Sequence, residues 1–136
     1  DYREGDEGRA IHWQRSAAFD RLLVRETARQ SRGRLALMLD TRRRDDADWN
    51  ERFESAIRRC AYLVDWALEQ GIGVQVVTPE TQSVALLPGD MPDPAWEFLA
   101  RLEASEGGSF EELPHTQSVW VEGVAESAEA VGAPAG

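Results

Sequence analysis

The sequence predicts an α/β protein: a three-layer, mostly parallel sheet with helices on both faces. Three observations carry this. RLALMLD (Arg34–Asp40) and GVQVVTP (Gly73–Pro79) are short, almost continuous apolar runs, as in strands buried on both faces. Between them, apolar residues recur at three- and four-residue steps, the period of an amphipathic helix. The resulting order, strand–helix–strand–strand–helix–strand, calls for right-handed crossovers that lay the helices on the sheet.

Residues 1–20 are polar and mixed, with Gly5 and Gly8 punctuating them, and they read as a loop. RLLVRETA (Arg21–Ala28) reads as a strand with Leu22, Leu23 and Val24 as its apolar members. QSRGR then turns the chain into the strand Arg34–Asp40. Asp48 with Glu51 three residues on has the spacing of a capping box. The helix that follows presents Phe53, Ala56, Ile57, Cys60, Ala61, Val64, Ala67 and Leu68 as one apolar stripe. Gly71 stops it from the C′ position. After the strand Gly73–Pro79, Gln82–Pro88 is a shorter segment that fits a hairpin or an edge strand.

Asp93-Pro94 starts a second helix, a cap followed by Pro at the first helical position. Trp96, Leu99, Ala100 and Leu102 give it an apolar side, and Gly107-Gly108 ends it. SVWVEGV (Ser118–Val124) alternates and reads as the last main strand. The chain thus divides into a segment 1–20 docked on the domain, an α/β domain over 21–124, and a small, acidic, flexible tail over 125–136.

A chain of 136 residues fits one domain. No apolar run approaches the ~20 residues of a membrane span. Cys60 is the single cysteine, which excludes an internal disulfide and a thiolate zinc cluster. Its place in the helical stripe makes it a buried small hydrophobe. The net charge of −10 is unevenly spread: residues 1–44 hold eleven Arg against seven acids, and residues 45–136 hold four Arg against eighteen. The acidic balance argues against nucleic acid as a partner. Every basic residue is Arg, so Schiff-base chemistry and a P-loop lysine are excluded.

Ligands of open α/β sheets sit at the carboxyl ends of the strands, where Asp40, Thr78 and Glu122 are expected. Asp40 could ligate a metal or cap its own loop. Arg42, Arg43 and Arg44 weaken the metal reading, because guanidiniums repel a divalent cation and pair with the carboxylate. Asp46, Asp48 and Asn50 mimic the start of a calcium loop, but Glu51 and Ile57 stand where Gly and Glu are required. His12 and His115 have no ligand-type neighbour two to four residues on. Asp6, His12 and Ser16 contain the residue types of a hydrolytic set, without a G-x-S-x-G elbow. Ile11 and Trp13 read as apolar plugs, with Asp6 and Arg9 as a polar tie.

These N-terminal residues also form a longer pattern. Tyr2-Arg3-x-Gly5-Asp6-x-x-Arg9-x-Ile11-His12-Trp13-x-x-Ser16-Ala17, followed by Leu22-Leu23-Val24-Arg25-Glu26, resembles the signature of the bacterial domain of unknown function 58 family. The order of elements to about residue 124 is similar to the von Willebrand factor A-like part of that family. Fewer strands are visible than a full fold of that type holds. The resemblance implies a non-enzymatic protein-interaction module with no cofactor, partnering a MoxR-type AAA+ ATPase. It implies a parent protein at the cytoplasmic face of the membrane, anchored through segments outside this chain. The metal-dependent adhesion site of von Willebrand A domains needs D-x-S-x-S. Asp40 matches its aspartate, and Arg42 and Arg44 replace both serines. The resemblance therefore implies a degenerate site without Mg²⁺. Asp40, Arg42, Arg43 and Arg44 would then form an arginine-rich face for the carboxylates or other anions of a partner. Two alternatives stand beside it: a metal- or anion-binding domain with Asp40 as ligand, and a hydrolase using Asp6, His12 and Ser16.

Overall fold

The structure is a computed structural model. It describes residues 4–30, 34–111 and 116–123, with side chains from Ala17 onward. The elements are α1 (Glu4–Gln30), β1 (Arg34–Met38), α2 (Trp49–Glu69), β2 (Gly73–Thr78), β3 (Thr81–Gln82), α3 (Asp93–Ala100) and β4 (Gln117–Trp120). The sheet order is β3-β2-β1-β4. β1 runs parallel to both β2 and β4, and β3 is antiparallel to β2. The α/β class and the mostly parallel sheet agree with the sequence.

Alternation along the strands separates two faces. Leu35, Leu37 and Leu39 of β1 and its end join Val74, Val76, Val119 and Val121 in the main core. Val24 and Ala28 of α1, the stripe of α2, and Ala95 and Leu99 of α3 complete that core. On the second face Ala36, Met38 and Val77 form a smaller cluster covered by Phe110. Leu35 to Leu39 are all buried, which is why this run lacks alternation in the sequence. Cys60 is fully buried in the main core, as its helical position predicts.

The N-terminal region departs from the sequence reading. Glu4–Gln30 is one continuous helix, not a loop to residue 20 and a strand over 21–28, so the expected boundary at 20/21 falls inside α1. Ala17, Val24 and Ala28 are buried, and their seven- and four-residue spacings place them on one helix face. Leu22, expected beside Val24 on a strand face, is 53% exposed. Gly5 and Gly8 each cost a helix about 1 kcal/mol, which a helix of this length absorbs. The tail 125–136 lies outside the described residues.

Smaller corrections have local causes. Asp48 sits at the cap of α2 but its side chain makes no capping bond; Oδ1 instead accepts from Arg52 Nη1 at 2.6 Å. α3 is capped by Pro92, and Asp93 is its first residue. It ends at Ala100, well before Gly107-Gly108. Ser105 then bonds alongside β1's continuation, with its N–H to Thr41 O and its carbonyl to Arg43 N–H, both at 2.8 Å. That pairing draws the chain away from the helix axis. Of the segment 82–88, Gln82 belongs to β3 and Leu86 bridges Val74, so the expected edge is present but brief. Gly71 follows the last turn of α2 with φ 79°, as a C′ glycine should.

Candidate functional site

The site-like end of the sheet is built where β1 runs out. Asp40 lies two residues beyond the end of β1, with its side chain one-quarter exposed. Arg42 folds back on it. Nε donates to Oδ1 at 2.9 Å, Nη2 to Oδ2 at 3.0 Å, and the backbone N–H of Arg42 to Oδ1 at 3.1 Å. Arg44 Nη2 adds a contact to Oδ2 at 3.4 Å. Both carboxylate oxygens are therefore occupied by guanidiniums. The Arg42 hydrogen bonds hold the Asp40 carboxyl below its ordinary range, against the opposing effect of burial, and Asp40 in turn raises Arg42.

A loop from another part of the chain roofs this pair. Thr41 is buried, and its hydroxyl meets the Ser105 hydroxyl at 3.0 Å. The Arg42 guanidinium lies 5.4 Å from the Phe110 ring, and Phe110 meets Trp120 edge-on at 4.9 Å. Glu80, at φ 67°, pairs with the same loop: its N–H donates to Ser109 O and its carboxylate accepts from Ser109 N–H at 2.8 Å. Gly108 passes beneath, with φ 111° and no room for a Cβ beside Glu80 and Pro79.

The expected strand-end residues do not act together. Thr78 is buried and its hydroxyl bonds within the β2–β3 turn. Glu122 is exposed and contributes its carbonyl oxygen to Arg59. Arg43 stacks 5.4 Å from Trp49 and lies 4.0 Å from Glu106. Arg43 and Arg44 keep 54% and 63% of their side chains exposed. Arg43 and Arg44 are thus largely exposed but each lies near an acid, Glu106 and Asp40, while Arg42 is turned inward.

Asp46 and Asp48 do not point at a calcium-like centre either. Both accept from Arg52, at 2.5 and 2.6 Å. Among the described residues no cluster of three His, Cys, Asp or Glu is placed to hold a metal. The residues around Asp40 do not fit the adhesion-site ion: guanidiniums fill its oxygens, and the Thr41 hydroxyl is turned to Ser105.

The signature residues Gly5, Asp6, Arg9, Ile11, His12, Trp13, Ser16 and Ala17 all lie on α1. Ala17 is buried against the core; the other side chains lie outside the described residues, as does His115. A family model described as "Protein of unknown function DUF58" matches residues 1–106, which include α1, the whole Asp40 loop and α3. The chain belongs to the DUF58 family. No curated protein and no solved structure matches it.

For this DUF58 chain, two groups of residues escaped the sequence reading. Ser105, Glu80 and Phe110 come to Asp40 from distant loops, and nothing in their local sequence marks them. Asp20, Arg21 and Arg25 meet α2 through Arg59, Tyr62 and Trp66. The signal in the sequence is their spacing: Arg21 and Arg25 are four apart, which a helical period places on one face.

Proposed function

We propose that this chain is a non-enzymatic protein-interaction module, von Willebrand factor A-like in type, with a degenerate metal-dependent adhesion site. It would serve a membrane-associated complex at the cytoplasmic face and partner a MoxR-type AAA+ ATPase. The observation that carries the reading is the Asp40–Arg42 pair. The acid best placed for ligand chemistry, at the carboxyl end of a central strand, has both oxygens committed to arginines of its own loop. An internal cation stands where a divalent ion would have to enter. Membership of the DUF58 family is compatible with this reading. No helix among the described residues is long and apolar enough to cross a membrane, so the anchorage in this proposal rests on other segments.

The test is co-purification of the chain with the MoxR-type ATPase encoded in the same genome. Retention of a complex through gel filtration is the expected result; its absence at micromolar concentrations of both proteins overturns the partnership. Arg43→Ala/Arg44→Ala is the informative variant for the arginine face, because Arg42 is needed to neutralise Asp40. Weakened binding assigns the exposed arginines to the contact, and unchanged binding removes them from it.

A further inference from the structure

A second surface carries the interaction chemistry better than the Asp40 loop. α1 and α2 lie side by side and leave an open groove of about 370 Å³, lined by Ala18, Arg21, Leu22, Arg25 and Trp66. Arg21 Nη1 donates to the Tyr62 hydroxyl at 3.1 Å, and the Arg25 guanidinium lies 5.5 Å from the centre of the Trp66 ring. Neither arginine has a carboxylate partner among the described residues. Among the described residues Arg34 and Arg58 have none either, whereas Arg29, Arg42, Arg43, Arg44, Arg52, Arg59 and Arg101 meet acids; Arg21 and Arg25 are the two that share a groove, and acids outnumber arginines by ten. Two uncompensated guanidiniums on an acidic protein, with their orientation fixed by a tyrosine and a tryptophan, form a preorganised acceptor for carboxylates.

The groove lining is mainly polar, from the two arginines, with Leu22 and Trp66 as its large apolar side chains, and Phe19 adds exposed apolar surface nearby on α1. Leu22 is 53% exposed and Phe19, one turn back, is 62% exposed. A small anion would use the arginines and leave this apolar surface wet. Arg21 and Arg25 are one turn apart, about 6 Å along the helix axis. Two acids at i and i+4 on a partner helix have the same spacing, and an apolar residue between them would face Leu22 and Trp66.

We propose that the α1–α2 groove docks an acidic amphipathic segment of a partner protein, with Arg21 and Arg25 taking its carboxylates and Leu22 and Trp66 its apolar anchor. This rests on the interaction-module reading and names the partner's chemistry. The test is selection of a random short-peptide display library on the immobilised chain, with winners measured by fluorescence anisotropy. Winners carrying paired Asp or Glu around Leu, Phe or Trp are expected. They should bind Arg21→Gln/Arg25→Gln at least about tenfold more weakly, a difference of about 1.4 kcal/mol. Thermal melting confirms that this variant is folded, and Leu22→Ala supplies an independent weakening of binding. Winners without acids, equal binding to the double variant, or no enrichment at all overturns the proposal. So does arginine-dependent binding confined to phosphatidylglycerol vesicles, which would make the surface a lipid contact. The ATPase reading is separable: an ATPase complex unaffected by Arg21→Gln/Arg25→Gln removes the groove alone, and acidic winners without an ATPase complex remove the ATPase alone.

Discussion

Arg59 closes on Asp20 through three guanidinium–carboxylate hydrogen bonds of 2.7–3.0 Å. The two side chains are 14% and 15% exposed, so water screens the pair little. The remaining Nη1 donates to the Glu122 carbonyl at 2.7 Å. One side chain on α2 thereby ties α1 to the end of β4. Truncating it leaves the largely buried Asp20 charge without its arginine. Arg59→Met is expected to cost about 2–4 kcal/mol in urea unfolding, a little under the figure for a fully buried pair. Asp20→Asn/Arg59→Met should cost less than the two single changes added together. Strict additivity would show that the pair contributes nothing beyond its separate packing.

The same corner holds a tightly enclosed glycine. A Cβ on Gly123 would lie 1.7 Å from the Arg52 carbonyl oxygen and 2.8 Å from the Ala56 amide nitrogen. Both are backbone atoms of α2, so neither can swing aside. Gly123→Ala must push the chain after β4 away from the helix, and about 3 kcal/mol or more of destabilisation is expected. Gly71→Ala is the control: its φ is 79° but nothing lies within 4 Å, so only the backbone penalty of about 1 kcal/mol remains. Similar melting temperatures for the two variants would contradict the close approach.

Asp40 makes stability depend on pH in an acid window. Its folded-state value is depressed below the ordinary 3.8, chiefly by the Arg42 hydrogen bonds. The folded state therefore favours the ionised form more than the unfolded chain does. The stabilisation is fully present above the unfolded value and is lost as pH falls through the lower folded value. Asp40→Asn should melt a few degrees below the parent at neutral pH, and the gap should close below about pH 4. A gap that does not narrow as pH falls below about 4 would mean that Asp40 acts through shape, not charge.

The central sheet was legible because its strands are buried on both faces and because α2 has a long, uninterrupted period. The Asp40 loop was half legible. Asp40 and the arginines adjoin in sequence, so their pairing followed from charge alone, whereas Ser105 and Phe110 arrive by tertiary packing. α1 is hidden in the sequence because Leu22, Leu23 and Val24 are adjacent. Three neighbouring apolar residues satisfy a strand as well as a helix, and the buried partners Ala17 and Ala28 are too small to reveal the longer period.

Cys60 should be inert in the native chain. It is fully buried among aliphatic side chains, and loss of hydration pushes its thiol up to about 12. A disulfide-exchange reagent at pH 8 is expected to titrate no thiol in buffer and one in denaturing urea. Rapid reaction in buffer would mean that α2 opens far more often than its packing allows.

The helix assignment of Arg21–Ala28 has a direct discriminator in Val24 and Leu22. In a strand these two residues share a face and should be equally sensitive to substitution. In α1 they diverge by two helical steps: Val24 is fully buried in the main core, whereas Leu22 is half exposed on the groove rim. Val24→Asn places an amide in the core without a partner, and its expected cost is about 3–4 kcal/mol. Leu22→Asn should cost about 0.5 kcal/mol or less in stability. Urea unfolding of the two variants separates the cases, since comparable losses would restore the strand and remove the groove with it.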